Sequence, residues 1–185
     1  MLVETSEVRY AENFDKATPG WNELARIGCL CSTAEFVTTD SDQPPVLRKI
    51  RGDASEKGIL RCYETIMADS TKVRSTNPKV AEIPFNSTNK YQLSIHDVDR
   101  KGRYQLVMKG APETIIDRCK TILLDGKDKI MTDEMRKMVN VVNLELGDQG
   151  ERVLGFCDLY LDSDEYPSGY QFDADEPNFP LSNFR

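Results

Sequence analysis

The chain contains no GxxxxGK[ST] loop, no GxGxxG after a strand-like run and no HxE paired with CxxC. A P-loop, a dinucleotide fold and a zinc deaminase are therefore excluded, and any nucleotide site must rest on scattered side chains. Histidine occurs once, at His96, and the cysteines Cys29, Cys31, Cys62, Cys119 and Cys157 form no CxxC pair. That leaves no familiar zinc ligand set, and reduced thiols in a cytosolic setting fit best. Cys29-Leu30-Cys31 sits in a helical pattern where a local disulfide would be strained, so core packing is the expected role. No apolar run approaches the roughly 20 residues needed to span a bilayer, and the N-terminus has no signal-peptide core, so a soluble chain is expected. Positive charge is in deficit, with 24 lysines and arginines against 31 acidic residues and a net charge of -7. A general nucleic-acid or anionic-membrane surface is disfavoured, and a bound anion needs a local cationic cluster.

What is present suits one well-packed domain over residues 1–185, since 185 residues at 39% hydrophobic content are rather few for two cores. The first dozen residues read as a strand or extended lead-in. Thr18-Pro19-Gly20 opens a helix over about 20–34, with Trp21, Leu24, Ile27, Gly28 and Cys31 at helical spacing. Thr38 to Pro45 reads as a surface loop. A second helix is signalled at Gly52-Asp53-Ala54-Ser55-Glu56, with Ile59, Leu60, Tyr63, Ile66 and Met67 on one face. The period then changes to two. Tyr91, Leu93 and Ile95 alternate with Gln92, Ser94 and His96, and Tyr104, Leu106 and Met108 with Gln105, Val107 and Lys109, so two strands joined across Asp97 to Gly102 read as a hairpin. A short helix follows Pro112. Thr132 begins an amphipathic helix with Met135, Met138, Val139, Val142 and Leu146 on one side and Gly147 at its end. Arg152 to Leu161 is a strand candidate. The acidic last 24 residues, with Tyr166, Tyr170, Phe172 and Phe179, read as a strap over the core.

Chemistry concentrates in Met108-Lys109-Gly110-Ala111-Pro112-Glu113 and in the run from Glu82 to Gln92. If Asp97 pairs with Gly102, Lys90 falls opposite Lys109, and two like charges across a ladder destabilise it unless a polyanion lies between them. Two snorkelling surface lysines are the competing reading. Arg152 adds a cation able to grip phosphate bidentately. Phe85, at a strand end before Asn86-Ser87-Thr88-Asn89, reads either as a core residue or as a free ring for stacking a base. Asp53-x-x-Glu56 is a relative of the capping box, so Glu56 is a helix cap or a ligand. His96, on the polar side of its strand, is expected to be solvated rather than a catalytic base.

These motifs, with Gly150-Glu151-Arg152-Val153-Leu154-Gly155-Phe156-Cys157 and the stretch from Tyr170 to Pro180, resemble the nucleotide-binding domain of P-type cation-transporting ATPases. The likeness runs to the sodium/potassium and proton/potassium branch and covers nearly the whole chain, the first fifty residues being least alike. It implies an α+β fold, a twisted antiparallel sheet flanked by helices, with ATP in a mostly open pocket. Phe85 would stack on the adenine, Lys109 and Gly110 would line the pocket floor, and Glu56 and Gln92 would contact the adenine edge. Lys90 would sit near base and sugar and Arg152 would meet the phosphates, with Ser87, Asp53, Leu154 and Cys157 further out on the same wall.

The resemblance further implies a domain excised from a larger membrane pump at two hinges, on the cytoplasmic face of the plasma membrane. ATP, the phosphorylation and actuator domains of the parent chain and a β subunit not touching this domain would be the partners. Magnesium would be held mainly outside it, no metal site or catalytic residue is expected within it, and the isolated domain should be a monomer. Phe14-Asp15-Lys16-Ala17-Thr18 resembles the phosphorylated DKTGT loop of that family, but Ala17 and Pro19 depart from it and it precedes the nucleotide domain. No phosphoenzyme is expected, so the chain should bind ATP without hydrolysing it. A non-catalytic interaction module with a vestigial pocket is the rival reading. A free-standing phosphotransferase would lack an evident nucleophile.

Overall fold

Alternating apolar and polar residues between Tyr91 and Gly110 build the centre of the molecule, a hairpin buried on both faces. A computed structural model describes residues 17–37 and 42–185. The extended lead-in, the Phe14 to Lys16 segment and part of the Thr38 to Pro45 loop lie outside the described residues. In chain order come α1 (Pro19–Leu30), β1 (Glu35–Phe36), β2 (Ile50–Arg51), α2 (Ala54–Ile66), α3 (Ser70–Thr76), β3 (Lys79–Ile83), β4 (Tyr91–Val98) and β5 (Arg103–Gly110). Then follow α4 (Pro112–Ile116), β6 (Thr121–Leu124), β7 (Lys127–Ile130), α5 (Asp133–Asp148) and β8 (Gly155–Tyr160).

The main sheet has the order β3-β4-β5-β8, every pairing antiparallel. One face carries Leu93, Ile95, Leu106, Met108 and Cys157 into the largest apolar core, which α4 and the C-terminal strap cover through Ile115, Tyr166, Phe179 and Phe184. The strap is irregular yet anchored, for the Gly169 N–H donates to the Tyr104 hydroxyl at 2.8 Å and Phe172 packs edge-on against the Tyr104 ring. The α+β fold expected from the sequence is the fold observed.

The other face, which carries most of the polar residues of the alternation, is also covered. Gln92, Ser94, His96, Gln105, Lys109 and Asp158 are all buried, beneath helices α1 to α3. Buried polar groups need partners, and this layer supplies them. Gln105 Nε2 donates to Asp158 Oδ2 at 2.7 Å, and Arg26 reaches down from α1 to Gln105 Oε1 at 2.6 Å.

His96, expected to be solvated, is a correction. It is 3% exposed, its Nδ1 donates to the Asn77 carbonyl at 2.9 Å, and its Nε2 faces the Ser94 hydroxyl at 2.9 Å. Burial pushes its pKa down to about 4, the Asn77 hydrogen bond opposing that in part. The unfolded imidazole titrates near 6.5 and the folded one about 4, so its contribution to stability is complete above about pH 6.5 and is lost as pH falls toward 4. Between pH 7 and 5 the fold is expected to lose about 2 kcal/mol from this group. Urea midpoints at the two pH values, in wild type and His96→Gln, check this; an equal fall in both proteins would refute it.

The hairpin register also differs from the expected one. Val98 pairs with Arg103, so Lys109 lies opposite Gln92 rather than Lys90. Asp97 does meet Gly102, but through its side chain, whose Oδ1 accepts from the Gly102 N–H at 2.7 Å across a turn of the same length moved one residue along, with Asp99 and Arg100 left-handed. The slip is even, so every side chain keeps its face. Lys90 falls outside the ladder with φ 58, and the like-charge pair does not exist.

Helix α1 ends at Leu30, short of the expected residue 34, and α5 begins after the Thr132 cap as expected. None of the α5 residues is fully buried. Val139, Val142 and Leu146 face a groove of about 260 Å³ shared with α1 and α4, while Met138, assigned to the same side, is exposed. Cys29, Cys31, Cys119 and Cys157 are buried free thiols, whereas Cys62 is exposed.

Candidate functional site

Where β4 begins and β5 ends, the buried polar layer opens into a cavity of about 520 Å³. Each wall comes from a different part of the chain. Asp53, Ser55 and Glu56 come from the start of α2, Glu82, Pro84 and Phe85 from the end of β3, and Lys90 and Gln92 from the entry to β4. Lys109 to Pro112 come from the end of β5, and Arg152 to Leu154 precede β8.

The floor is an ion pair. Lys109 Nζ donates to Glu56 Oε1 at 2.5 Å, with both side chains more than nine-tenths buried. Glu56 Oε2 accepts twice from Thr33, from its N–H at 3.0 Å and its hydroxyl at 2.8 Å. Burial pushes the Glu56 pKa up, and the Lys109 and Thr33 hydrogen bonds more than offset it, so the carboxyl titrates below the usual glutamate value. At neutral pH the floor is a carboxylate and an ammonium in contact, a dipole of no net charge.

Asp53 is the cap expected of it. Its Oδ1 accepts from the Ser55 and Glu56 N–H groups at 2.8 and 3.4 Å, which lowers its pKa and fixes the first turn that aims Glu56 inward. Gln92 Nε2 donates to Glu82 Oε1 at 2.8 Å, joining β4 to β3 at the cavity wall. Gly110 answers a need within the protein: a Cβ there would lie 2.4 Å from the Lys90 carbonyl oxygen and 2.9 Å from Tyr91 Cα. The turn from Asn86 to Lys90 thus packs directly on the end of β5, which admits only glycine.

The rim is wet. Phe85 is 58% exposed, settling the choice between core residue and free ring in favour of the latter. Lys90 lies 3.8 Å from Glu113, both well exposed, so little free energy holds it there. Arg152 is exposed and stands ahead of β8, not at its first position as expected.

Of the residues singled out in the sequence, Phe85, Lys109, Gly110, Glu56, Gln92, Lys90, Arg152, Asp53 and Leu154 surround this one cavity. Ser87 and Cys157 do not. Ser87 lies in the exposed turn after Phe85, and Cys157 is fully buried on the opposite face of the sheet, packed in the main core. The strand alternation places Phe156, not Cys157, on the Lys109 side. Thr33, Ser55, Glu82, Pro84, Ala111, Pro112 and Val153 complete the lining; all but Thr33 belong to the motif stretches noted in the sequence, though none has an individual role there. Thr33 carries no local signal, because tertiary packing of the α1 exit against α2 brings it to Glu56.

A family model described as P-type ATPase, cytoplasmic domain N, matches residues 20–183. The chain belongs to this family. Among curated relatives, this N domain is 50% identical over 182 residues to the sodium/potassium-transporting ATPase subunit alpha of Tetronarce californica, covering 98% of this chain and 18% of that protein. The corresponding subunit of Drosophila melanogaster is 47% identical over 185 residues, covering 99% and 18%. The human alpha-3 subunit is 47% identical over 183 residues, covering 98% and 18%. The N domain thus spans about a fifth of the length of the relatives it matches. Among its described residues no helix is long and apolar enough to cross a membrane.

Proposed function

We propose that this N domain binds ATP in the cavity between Phe85 and Arg152 and, within a P-type cation pump of the sodium/potassium kind, presents the γ-phosphate to a separate phosphorylation domain. The observation that carries this reading is the contrast between the buried and exposed parts of one cavity: a self-neutralised Glu56–Lys109 floor, and a rim bearing a free aromatic ring and the cations Lys90 and Arg152. A purine base, uncharged, suits the buried end. A triphosphate does not, because desolvating it there would cost far more than one already paired lysine returns. At the rim the phosphates keep water and gain charge-assisted hydrogen bonds from Arg152 and Lys90.

Phosphoryl transfer rests on positioning and charge neutralisation. This chain supplies the positioning: Phe85 stacks on the adenine, Gln92 and Glu56 meet its edge, and Arg152 steers the phosphates outward. Magnesium, held mainly by other domains of the parent, would neutralise charge on the transferred group. The acceptor aspartate lies in the parent's phosphorylation domain, so the isolated N domain is a monomer that binds ATP and does not hydrolyse it. The parent would sit in the plasma membrane with this domain on the cytoplasmic side, beside actuator and phosphorylation domains and away from any β subunit.

Phe85→Ala is the test. Base–aromatic stacking contributes about 1–3 kcal/mol, so ATP affinity measured by calorimetry is expected to fall about fivefold or more, with the fold unchanged because the ring packs on little. Equal affinities in variant and wild type would overturn the proposal.

A further inference from the structure

We propose that Thr33 is a positioning residue that sets the base selectivity of the cavity by saturating one oxygen of Glu56. The inference rests on the nucleotide reading above. A carboxylate offers about four acceptor sites, two on each oxygen. In Glu56 the two on Oε2 are taken by the Thr33 N–H at 3.0 Å and hydroxyl at 2.8 Å, and one on Oε1 is taken by Lys109 at 2.5 Å. The remaining site lies on Oε1, the oxygen that Lys109 grips. A ligand donor must approach there. Because Glu56 is ionised, it accepts hydrogen bonds and donates none, so it favours a purine carrying an amino group and repels one carrying a carbonyl at the same edge.

Thr33 is itself held firmly enough to act this way. Arg74 of α3 donates from Nε to the Cys29 carbonyl at 2.9 Å and from Nη1 to the Ala34 carbonyl at 2.6 Å, pinning the chain on both sides of Thr33. The Ala34 N–H donates to Ser32 Oγ at 3.2 Å, and Ala34 packs so closely on Gly52 that a Cβ there would meet it at 2.9 Å. The hydroxyl is therefore delivered by rigid backbone to a carboxylate whose own helix is capped by Asp53. Without that hydroxyl, an Oε2 site opens and only the Thr33 N–H and Lys109 hold the carboxylate, so its acceptor direction is less tightly fixed and a second acceptor faces the ligand.

The experiment compares ATP and GTP binding by calorimetry in wild type, Thr33→Val and Thr33→Ser, with urea midpoints measured on each. Valine keeps the shape and the backbone N–H bond. Thr33→Val is expected to weaken ATP about fivefold, the effect of one lost hydrogen bond, while GTP stays within about twofold, so the ATP-to-GTP preference contracts. Thr33→Ser restores the wild-type ratio. In a Glu56→Gln background, Thr33→Val changes the ratio no further. A parallel loss of both nucleotides, or an unchanged ratio, would overturn this inference and leave the ATP reading standing. Failure of the wild type to bind ATP would overturn both.

Discussion

Lys109→Met is expected to lower the stability of the fold by about 3–5 kcal/mol and to abolish measurable ATP binding, because the substitution leaves the Glu56 carboxylate buried with Thr33 as its sole remaining donor. Methionine fills most of the lysine volume, so a cavity contributes little to the loss. The cost arises from an uncompensated charge, which gives it two signatures. The penalty shrinks as pH falls from 7 toward 5, since Glu56 without its ammonium partner titrates at higher pH and protonation removes the charge. Adding Glu56→Gln to Lys109→Met restores most of the stability, since replacing both partners of a buried pair is often neutral, yet it does not restore ATP binding. Urea unfolding of the single and double variants at both pH values measures this. A single variant as stable as wild type, or a penalty independent of pH, would contradict it.

Arg185→Ala is expected to be comparably damaging, about 3–5 kcal/mol, although Arg185 lies far along the sequence from the cavity. Its guanidinium donates to both oxygens of Asp158, from Nε at 2.9 Å and Nη2 at 2.7 Å, and also meets Glu23 at 3.2 Å. Asp158 is 1% exposed and would keep only Gln105 Nε2 as a side-chain donor at 2.7 Å. The backbone of Arg185 pairs with that of Asp158 in both directions, so the substitution removes the charge while leaving the strand contact. With a denaturant slope of about 1–3 kcal/mol/M, the urea midpoint is expected to drop by more than about 1 M. Asp158→Asn in the Arg185→Ala background should recover part of it. No recovery would show that packing, rather than the stranded carboxylate, carries the effect.

How far the sequence foretold these features depends on how local each feature is. The caps of α2 and α5, the Pro112 start of α4 and the two long strands follow from neighbouring residues and stand where those residues place them. The hairpin formed by β6 and β7 turns at Asp125-Gly126, both with positive φ, and that dipeptide is a local signal for a tight hairpin turn. What alternation cannot reveal is what covers a polar face. His96 and Gln105 look solvent-facing from their strands and are buried because α1 to α3, distant in sequence, lie across them.

The same limit shaped the site. Lys109 was recognisable as a site residue, but its partner Glu56 lies 53 residues away and Lys90 was the wrong mate, since register depends on whether Asp97 pairs by backbone or by side chain. Cys157 went to the wrong face because motif proximity to Arg152 says nothing of strand parity. Phe85 was undecidable until the end of β3 fixed its exposure.

The most direct test of the central claim is a titration of the isotopically labelled chain with ATP, read by amide chemical shifts. Saturable shifts are expected at Gly110, Gln92 and Arg152, with none at Gly169 or Tyr166 on the far side of the sheet, and the Phe85→Ala variant should need at least about fivefold more ATP for the same shifts. Shifts scattered over the strap, or none at millimolar ATP, would contradict the account.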